Sequence, residues 1–197
     1  PVSQSSGIRF PNGKRKRSQK KIQMPHSPHC WHWRLFGPAG SKNYPEEQQR
    51  VIAATIAGMR VVCAYIPNGQ AVDSDKYQYK LRWLTALNGW LKNELSLHPN
   101  LLLLGDYNIA PEDIDCHDPA AWIGQVLVSE PERDAFKALI NLGLEDSFRL
   151  FEKSEGHYSW WDYRMMGFRR NAGMRIDHVM VSQELKERSE EHTSELQ

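Results

Sequence analysis

Four leucines in a row, Leu101 to Leu104, followed directly by GDYNIA, constrain this chain more than any other stretch. The run is too short to cross a bilayer and is bounded by turn residues, so it reads as a strand buried on both faces and ending at Gly105. Burying four leucines is worth about 6 to 12 kcal/mol gross, at about 1.5 to 3 each, which makes the strand a rigid support. Just past its end, Asp106 and Asn108 are predicted to fall on the same side of an extended backbone, setting a carboxylate beside a carboxamide. Such a pair on a stiff strand tip suits catalysis, although Gly-Asp and Asn are also ordinary turn formers.

Upstream, Val51 to Ile56 and Arg60 to Ile66 read as two strands joined by a tight turn at Ala57-Gly58, a β-hairpin that delivers Tyr65 to a loop fixed by Pro67 and Gly69. From Ser74 to Leu97, the residues Tyr77, Leu81, Leu84, Leu87, Leu91 and Leu95 recur at steps of three and four, predicting an amphipathic helix with one face on a sheet. Lys76, Lys80, Arg82 and Lys92 are expected on its solvated face, with Lys80 close enough to the tyrosine loop to touch a phosphate. His98-Pro99 stops that helix. After the leucine strand, Asp113, Asp115, His117 and Asp118 have a spacing that fits no metal geometry, and a surface loop is expected there. Ser129 and Pro131 open a further helix running through Phe136, Leu139 and Ile140 to Gly143. Leu144 to Phe148 leads away from it, with Asp146 and Arg149 expected to form a weak local ion pair.

The C-terminal third is dense in aromatic and charged residues. His157 to Asp162 alternates as a strand that points Trp160 and Trp161 opposite ways, and Arg175 to Ser182 alternates again, placing Asp177 and His178 on opposite faces. Between them, Met165 to Gly173 joins Phe168 to Arg169 and Arg170. An apolar wedge beside two cations is what insertion into a minor groove at a damaged site requires, and it also suits a solvated basic loop around a core phenylalanine.

At 197 residues and 40% hydrophobic content the chain has room for one domain with a substantial core. No apolar run is long enough for a membrane span and no signal peptide is visible, so a cytoplasmic protein without membrane partners is expected. Cys30, Cys63 and Cys116 are odd in number and scattered, and read as reduced thiols. Charge is divided unevenly: the first 45 residues hold nine Lys or Arg and no acid, whereas the remainder holds sixteen basic and twenty-four acidic residues. The basic cluster KRKRSQKK could be a nucleic-acid arm or a localisation signal. Residues 1–44 show neither helical nor strand periodicity, and are expected to be a frame-shifted stretch or a disordered basic arm.

Four blocks in the same order give this chain a family. GDYNIAPEDID at Gly105 to Asp115 resembles the corresponding segment of the exodeoxyribonuclease III family of apurinic/apyrimidinic (AP) endonucleases, within the endonuclease/exonuclease/phosphatase superfamily. YIPNGQ at Tyr65 to Gln70, HYSWWDYR at His157 to Arg164, and NAGMRIDHVMVS at Asn171 to Ser182 resemble it as well. The resemblance covers about Pro45 to Leu185. It implies an α/β fold, a sandwich of two mixed sheets flanked by helices, here incomplete at both termini.

The same resemblance implies hydrolysis of the phosphodiester 5′ of abasic sites and removal of 3′ nucleotides from duplex DNA, by a monomer using Mg²⁺ or Mn²⁺. Tyr65 matches an active-site tyrosine. Asp106 would position or deprotonate the attacking water and, with Asn108, hold the metal; Asn108 would also donate to a phosphoryl oxygen. Asp177 matches the Asp that orients a catalytic histidine. Asn68 matches a contact to the DNA backbone and Trp160 the wall of a pocket for a base-free sugar, with Trp161 adjacent; Arg164 of the HYSWWDYR block and Phe168, Arg169 and Arg170 of the loop are expected to contact DNA. The family's upstream Asn and Glu and its closing Ser-Asp-His segment have no counterpart, and residues 186–197, ending RSEEHTSELQ, resemble a translated sequencing adapter. The chain is therefore expected to be a fragment of weak or no activity. Two other classes remain: a superfamily phosphoesterase acting on inositol phosphates or lipids, and a non-catalytic DNA-binding fragment.

Overall fold

The structure is a computed structural model and describes residues 34–36 and 50–187; the expectations for the basic N-terminal cluster and the adapter-like tail fall almost entirely outside these residues. The chain order is β1 (Arg34–Phe36), β2 (Val51–Ile56), β3 (Met59–Tyr65), α1 (Asp75–Leu97), β4 (Leu101–Asp106), α2 (Pro119–Trp122), α3 (Glu130–Ile140), β5 (Leu144–Asp146), α4 (Ser147–Phe151), β6 (Trp160–Trp161), β7 (Gly173–Met174) and β8 (Asp177–Ser182). Six strands form one mixed sheet in the order β1-β2-β3-β4-β8-β5, and β6 pairs with β7 in a small second sheet. Only β3 and β4 run parallel, as the long α1 crossover between them requires. Strand β1 lies in the stretch read as having no periodicity; three residues are too few to display one.

The β2–β3 hairpin turns at Ala57 and Gly58, both at positive φ, the backbone that matches the twist of paired strands. Helix α1 starts where its sequence predicts, with the Ser74 side chain accepting from the Tyr77 N–H. Its inner face is Tyr77, Lys80, Trp83, Leu84, Leu87 and Leu91. Apart from Tyr77 and Lys80, these pack on Val62, Ala64, Leu101, Leu103 and Met180 of the sheet, with Phe136 and Leu139 from α3 closing the core. Arg60 Nε donates to Glu94 Oε2 at 2.7 Å and fastens the far end of α1 to β3. Helix α3 has a reciprocal cap between Ser129 and Glu132. No helix among the described residues is long and apolar enough to cross a membrane.

The leucine strand departs from its expected burial. Leu101 and Leu103 are fully buried beneath α1, but Leu102 and Leu104, on the other face, are only half-buried. Their neighbour Val179 is exposed. The strand also runs one residue further, through Asp106. Gly105 therefore sits inside it, at φ +137°, where an added Cβ would lie 2.0 Å from the Ala64 carbonyl oxygen on β3. Gly105→Ala is expected to destabilise the protein by at least about 2 kcal/mol, read as a lower urea midpoint, because it combines backbone strain with a clash at the central strand pair.

Candidate functional site

Three adjacent strands end in one row of polar side chains. Tyr65 pairs with Asp106 across the parallel β3–β4 ladder, and Asp106 pairs with Asp177 across the antiparallel β4–β8 ladder. Residues in register project to the same face, so a phenol and two carboxylates stand side by side on the half-open face of the sheet. Tyr65 is exposed, with the Arg50 guanidinium 5.0 Å over its ring. Burial pushes the Asp106 carboxyl up and the Asp177 charge adds to this, while the Asn108 N–H and the Lys80 ammonium pull it back; the net direction is upward.

Asn108 reaches the site by a different route from the one its sequence suggests. The extended backbone ends at Asp106, and Asn108 is left-handed, at φ +51°. The pair is joined by a turn in which Asp106 Oδ1 accepts the Asn108 backbone N–H at 2.9 Å. The Asn108 side chain is nearly buried: Nδ2 donates to the Ile66 carbonyl at 3.1 Å and Oδ1 accepts from Asn68 Nδ2 at 2.8 Å. Asn68 Oδ1 in turn accepts from the Gln70 N–H at 3.2 Å. Each amide oxygen thus accepts one bond within the protein, Asn68 keeps one side-chain N–H for a ligand, and the Asn108 amide also interacts with the Asp106 carboxylate. That arrangement suits an anionic oxygen. It disfavours the metal role expected of Asn108, since a carboxamide ligates metals through its oxygen.

Lys80 corrects the reading of α1. It is fully buried, paired with Glu132, and donates to the Asn108 carbonyl at 2.6 Å and the Asn68 carbonyl at 3.2 Å. Lys76, Arg82 and Lys92 are exposed as expected.

On the other side of the row, Asp177 is exposed and His178 is buried against Tyr107 and Phe136. The His178 ring lies 2.8 Å from the Ile109 carbonyl at Nε2 and 3.0 Å from Arg175 Nη1 at Nδ1. Arg175 also meets Asp115 and Asp146, each at 2.7 Å, and Arg149 meets Asp115 at 2.6 Å. Two expectations fail here. Asp115 is a buried ion-pair centre, not part of a surface loop, and Asp146 takes Arg175 as its partner while Arg149 takes Asp115. Burial alone would raise the Asp146 carboxyl, but His178 and Arg175 together hold it down at about 2. A depressed carboxyl stabilises the fold above its unfolded range and loses that contribution on protonation. Melting temperature is therefore expected to fall steeply as pH drops from about 4 towards 2, and the step should shrink in Asp146→Asn.

A cleft of about 800 Å³ opens beside Asp177, walled by Phe148, Phe151, His157, Tyr158 and Trp161. The strand expected over His157 to Asp162 is reduced to the two residues of β6, and it is Trp161 that borders this cleft. Trp160 points elsewhere and is partly exposed. The Trp161 N–H donates to Asn171 Oδ1 at 3.2 Å, and its ring meets Phe168 edge-on at 5.1 Å. The expected loop is two short 3₁₀ turns, Arg164–Met166 and Phe168–Arg170. Tyr163, Met166 and Phe168 stand exposed among Arg169, Arg170 and Arg164, the last held by Asp162 at 2.6 Å. Among the described residues no group of three His, Cys, Asp or Glu could enclose a metal.

Known proteins bear on this geometry directly. A model of the Endonuclease/Exonuclease/phosphatase family matches residues 23–197, and the chain belongs to that family. Its relatives include exodeoxyribonucleases and AP endonucleases. An exodeoxyribonuclease of Bacillus subtilis is 35% identical over 147 residues, which are 74% of this chain and 58% of that protein. A 3′ phosphatase from Neisseria, solved bound to a product DNA hairpin, superposes with a TM-score of 0.72 at 41% identity, covering 80% of this chain and 60% of its own. An AP endonuclease from Archaeoglobus fulgidus gives 0.71 at 34% identity, over 81% and 60%. The chain spans about three-fifths of the length of these relatives.

Proposed function

We propose that the row Tyr65–Asp106–Asp177, with the Asn68 and Asn108 amides beside it, is a site for hydrolysing DNA phosphodiesters in the manner of exodeoxyribonuclease III. The observation that carries this reading is the register that sets those three side chains on neighbouring strand ends, next to an exposed aromatic and cationic lobe. The substrate is duplex DNA with abasic sites or 3′ ends. The chain acts as a monomer, and the half-open sheet face at Leu102, Leu104 and Val179 supports reading the fold as part of a two-sheet sandwich.

Each residue has a task that its position permits. Asp106 orients or deprotonates the attacking water, aided by an upshifted carboxyl that sits closer to working pH than an ordinary aspartate. The Asn68 and Asn108 side-chain amides donate to phosphoryl oxygens, where charge grows during displacement. The Tyr65 hydroxyl donates to a neighbouring phosphate oxygen or shares in proton transfer. Asp177 is placed to orient a protonatable partner. Trp161 walls the cleft that receives the base-free sugar, and Trp160, Arg164, Phe168, Arg169 and Arg170 face the duplex.

A divalent cation fits here. Asp106 and Asp177 are carboxylates in register on neighbouring strands, the first pushed upward by burial and further by the Asp177 charge, and such a pair is relieved by a cation. Mg²⁺ or Mn²⁺ needs only one or two carboxylates with water and phosphate, so Asp106 would hold it with Asp177 alongside. When bound, the ion neutralises charge on the phosphate and on the leaving oxygen.

Turnover is measured with protein in excess over DNA. Comparing DNA incision with release of phosphate from inositol phosphates tests the substrate class. Faster inositol phosphate turnover would replace this reading, and salt-sensitive duplex binding with no cleavage at any protein concentration would reduce it to DNA binding.

A further inference from the structure

The cation that α1 turns inward has no place among the groups that touch DNA, yet it stands directly behind two of them. Its surroundings fix its charge. Lys80 Nζ has three neighbours within hydrogen-bond distance, Glu132 Oε1 and the carbonyl oxygens of Asn68 and Asn108, and all three are acceptors. A neutral amine would aim its lone pair at an oxygen; an ammonium has three N–H groups for three acceptors. Burial pulls the Lys80 pKa down, and the Glu132 carboxylate opposes it.

The counter-ion is itself anchored. Glu132 Oε2 accepts from the Ser129 backbone N–H at 3.1 Å and from the Ser129 hydroxyl. With its proton committed to Glu132, the Ser129 oxygen accepts from the Tyr77 hydroxyl at 2.7 Å. A buried chain of polar groups therefore runs from α1 to the cap of α3 and back to Lys80, and it ends on two main-chain carbonyls 40 residues apart in sequence. A lysine–glutamate pair buried this deeply is not needed for stability, since apolar pairs of similar volume serve as well or better. Its placement calls for another reason.

The geometry points to Lys80 as a positioning residue: its ammonium clamps the Asn68 and Asn108 carbonyls together, so that the two side-chain amides face one phosphate in fixed register. The clamp closes the loop after β3 onto the turn after β4, and the Asn68–Asn108 amide bond lies directly above it. This inference deepens the phosphodiester reading and rests on it for the identity of the ligand, but the clamp can be examined without DNA.

The test is the double variant Lys80→Met/Glu132→Leu, which replaces the pair with apolar residues. It is expected to melt within a few degrees of the parent. Its Asn68 and Asn108 side-chain amide signals, assigned by Asn→Asp substitution in nitrogen-15 NMR spectra, should move to the positions of solvent-exposed amides. The single-turnover rate on abasic duplex should fall about 10²-fold, a loss in proportion to misplacing two donors by about 1 Å, while duplex affinity changes little. A folded double variant that keeps both amide signals and the parental rate overturns the proposal. If the double variant does not fold, Lys80→Arg keeps the charge but offers a planar fork in place of three tetrahedral donors. It should lose the same signals, and retention of them overturns the proposal equally. Should the parent leave DNA uncut, the nuclease reading fails while the amide signals still decide whether the clamp exists.

Discussion

Asp106→Asn is expected to lower the rate of abasic-site incision by about 10² to 10⁴-fold while raising the melting temperature by a few degrees. The two effects have one cause. Asparagine keeps an oxygen that can accept the Asn108 N–H, so the turn beyond β4 survives, but it cannot take a proton from water. The carboxyl it replaces is pushed upward, by burial first and by Asp177 second. An acid whose folded pKa is raised opposes folding once ionised, and that opposition disappears when pH falls below its titration range. The stability advantage of Asp106→Asn should therefore be present at neutral pH and should vanish as the medium is acidified and the wild-type carboxyl becomes protonated. Thermal melts of both proteins across pH 3 to 8 check the sign. An asparagine variant less stable than wild type at pH 7 would mean that the Asp106 charge is well accommodated, and the site would lose its strained carboxylate.

The second large effect concerns the exposed lobe after β6. Arg169→Ala and Arg170→Ala are each expected to weaken duplex binding about uniformly across sequences and to reduce the slope of log affinity against log salt by about 1, the signature of one lost phosphate contact. Phe168→Ala should behave differently. Its ring is exposed and braced by the Trp161 indole, so its removal should leave the salt slope unchanged and reduce the preference for an abasic duplex over an intact one by about tenfold. Binding titrations at three salt concentrations separate the two behaviours. A solvated basic loop would show equal small losses for all three substitutions and no change in preference.

What the sequence disclosed and what it hid follow from how far apart the partners lie. Local signals sufficed for Ser74 and Ser129 at the starts of α1 and α3, for the Ala57-Gly58 turn, and for the opposite facing of Asp177 and His178, since each depends on residues within one turn or one pleat. Lys80 was misplaced because a cation on an amphipathic helix ordinarily faces water; its partner Glu132 lies 52 residues away and its other acceptors are main-chain carbonyls. Asp115 was misplaced for the same reason, with Arg149 and Arg175 lying 34 and 60 residues away. The spacing of Ser129 and Glu132, that of a capping box, is the one signal in the sequence that ties the Glu132 carboxylate to the start of α3, and from which its partner could have been sought. Leu102 and Leu104 look like Leu101 and Leu103 in the sequence. Only the sheet order reveals that α1 covers one of their two faces. The Trp160 and Trp161 pair was read correctly as pointing opposite ways, but alternation alone could not say which ring would meet the cleft.

Incision of an end-labelled duplex carrying one abasic site, by wild type and Asp106→Asn in Mg²⁺ and in EDTA, tests the central claim most directly. The account predicts slow, Mg²⁺-dependent cleavage on the 5′ side of the abasic site by wild type, and its loss in Asp106→Asn. Cleavage that survives the Asp106 substitution, or no DNA cleavage alongside ready turnover of inositol phosphates, would contradict it.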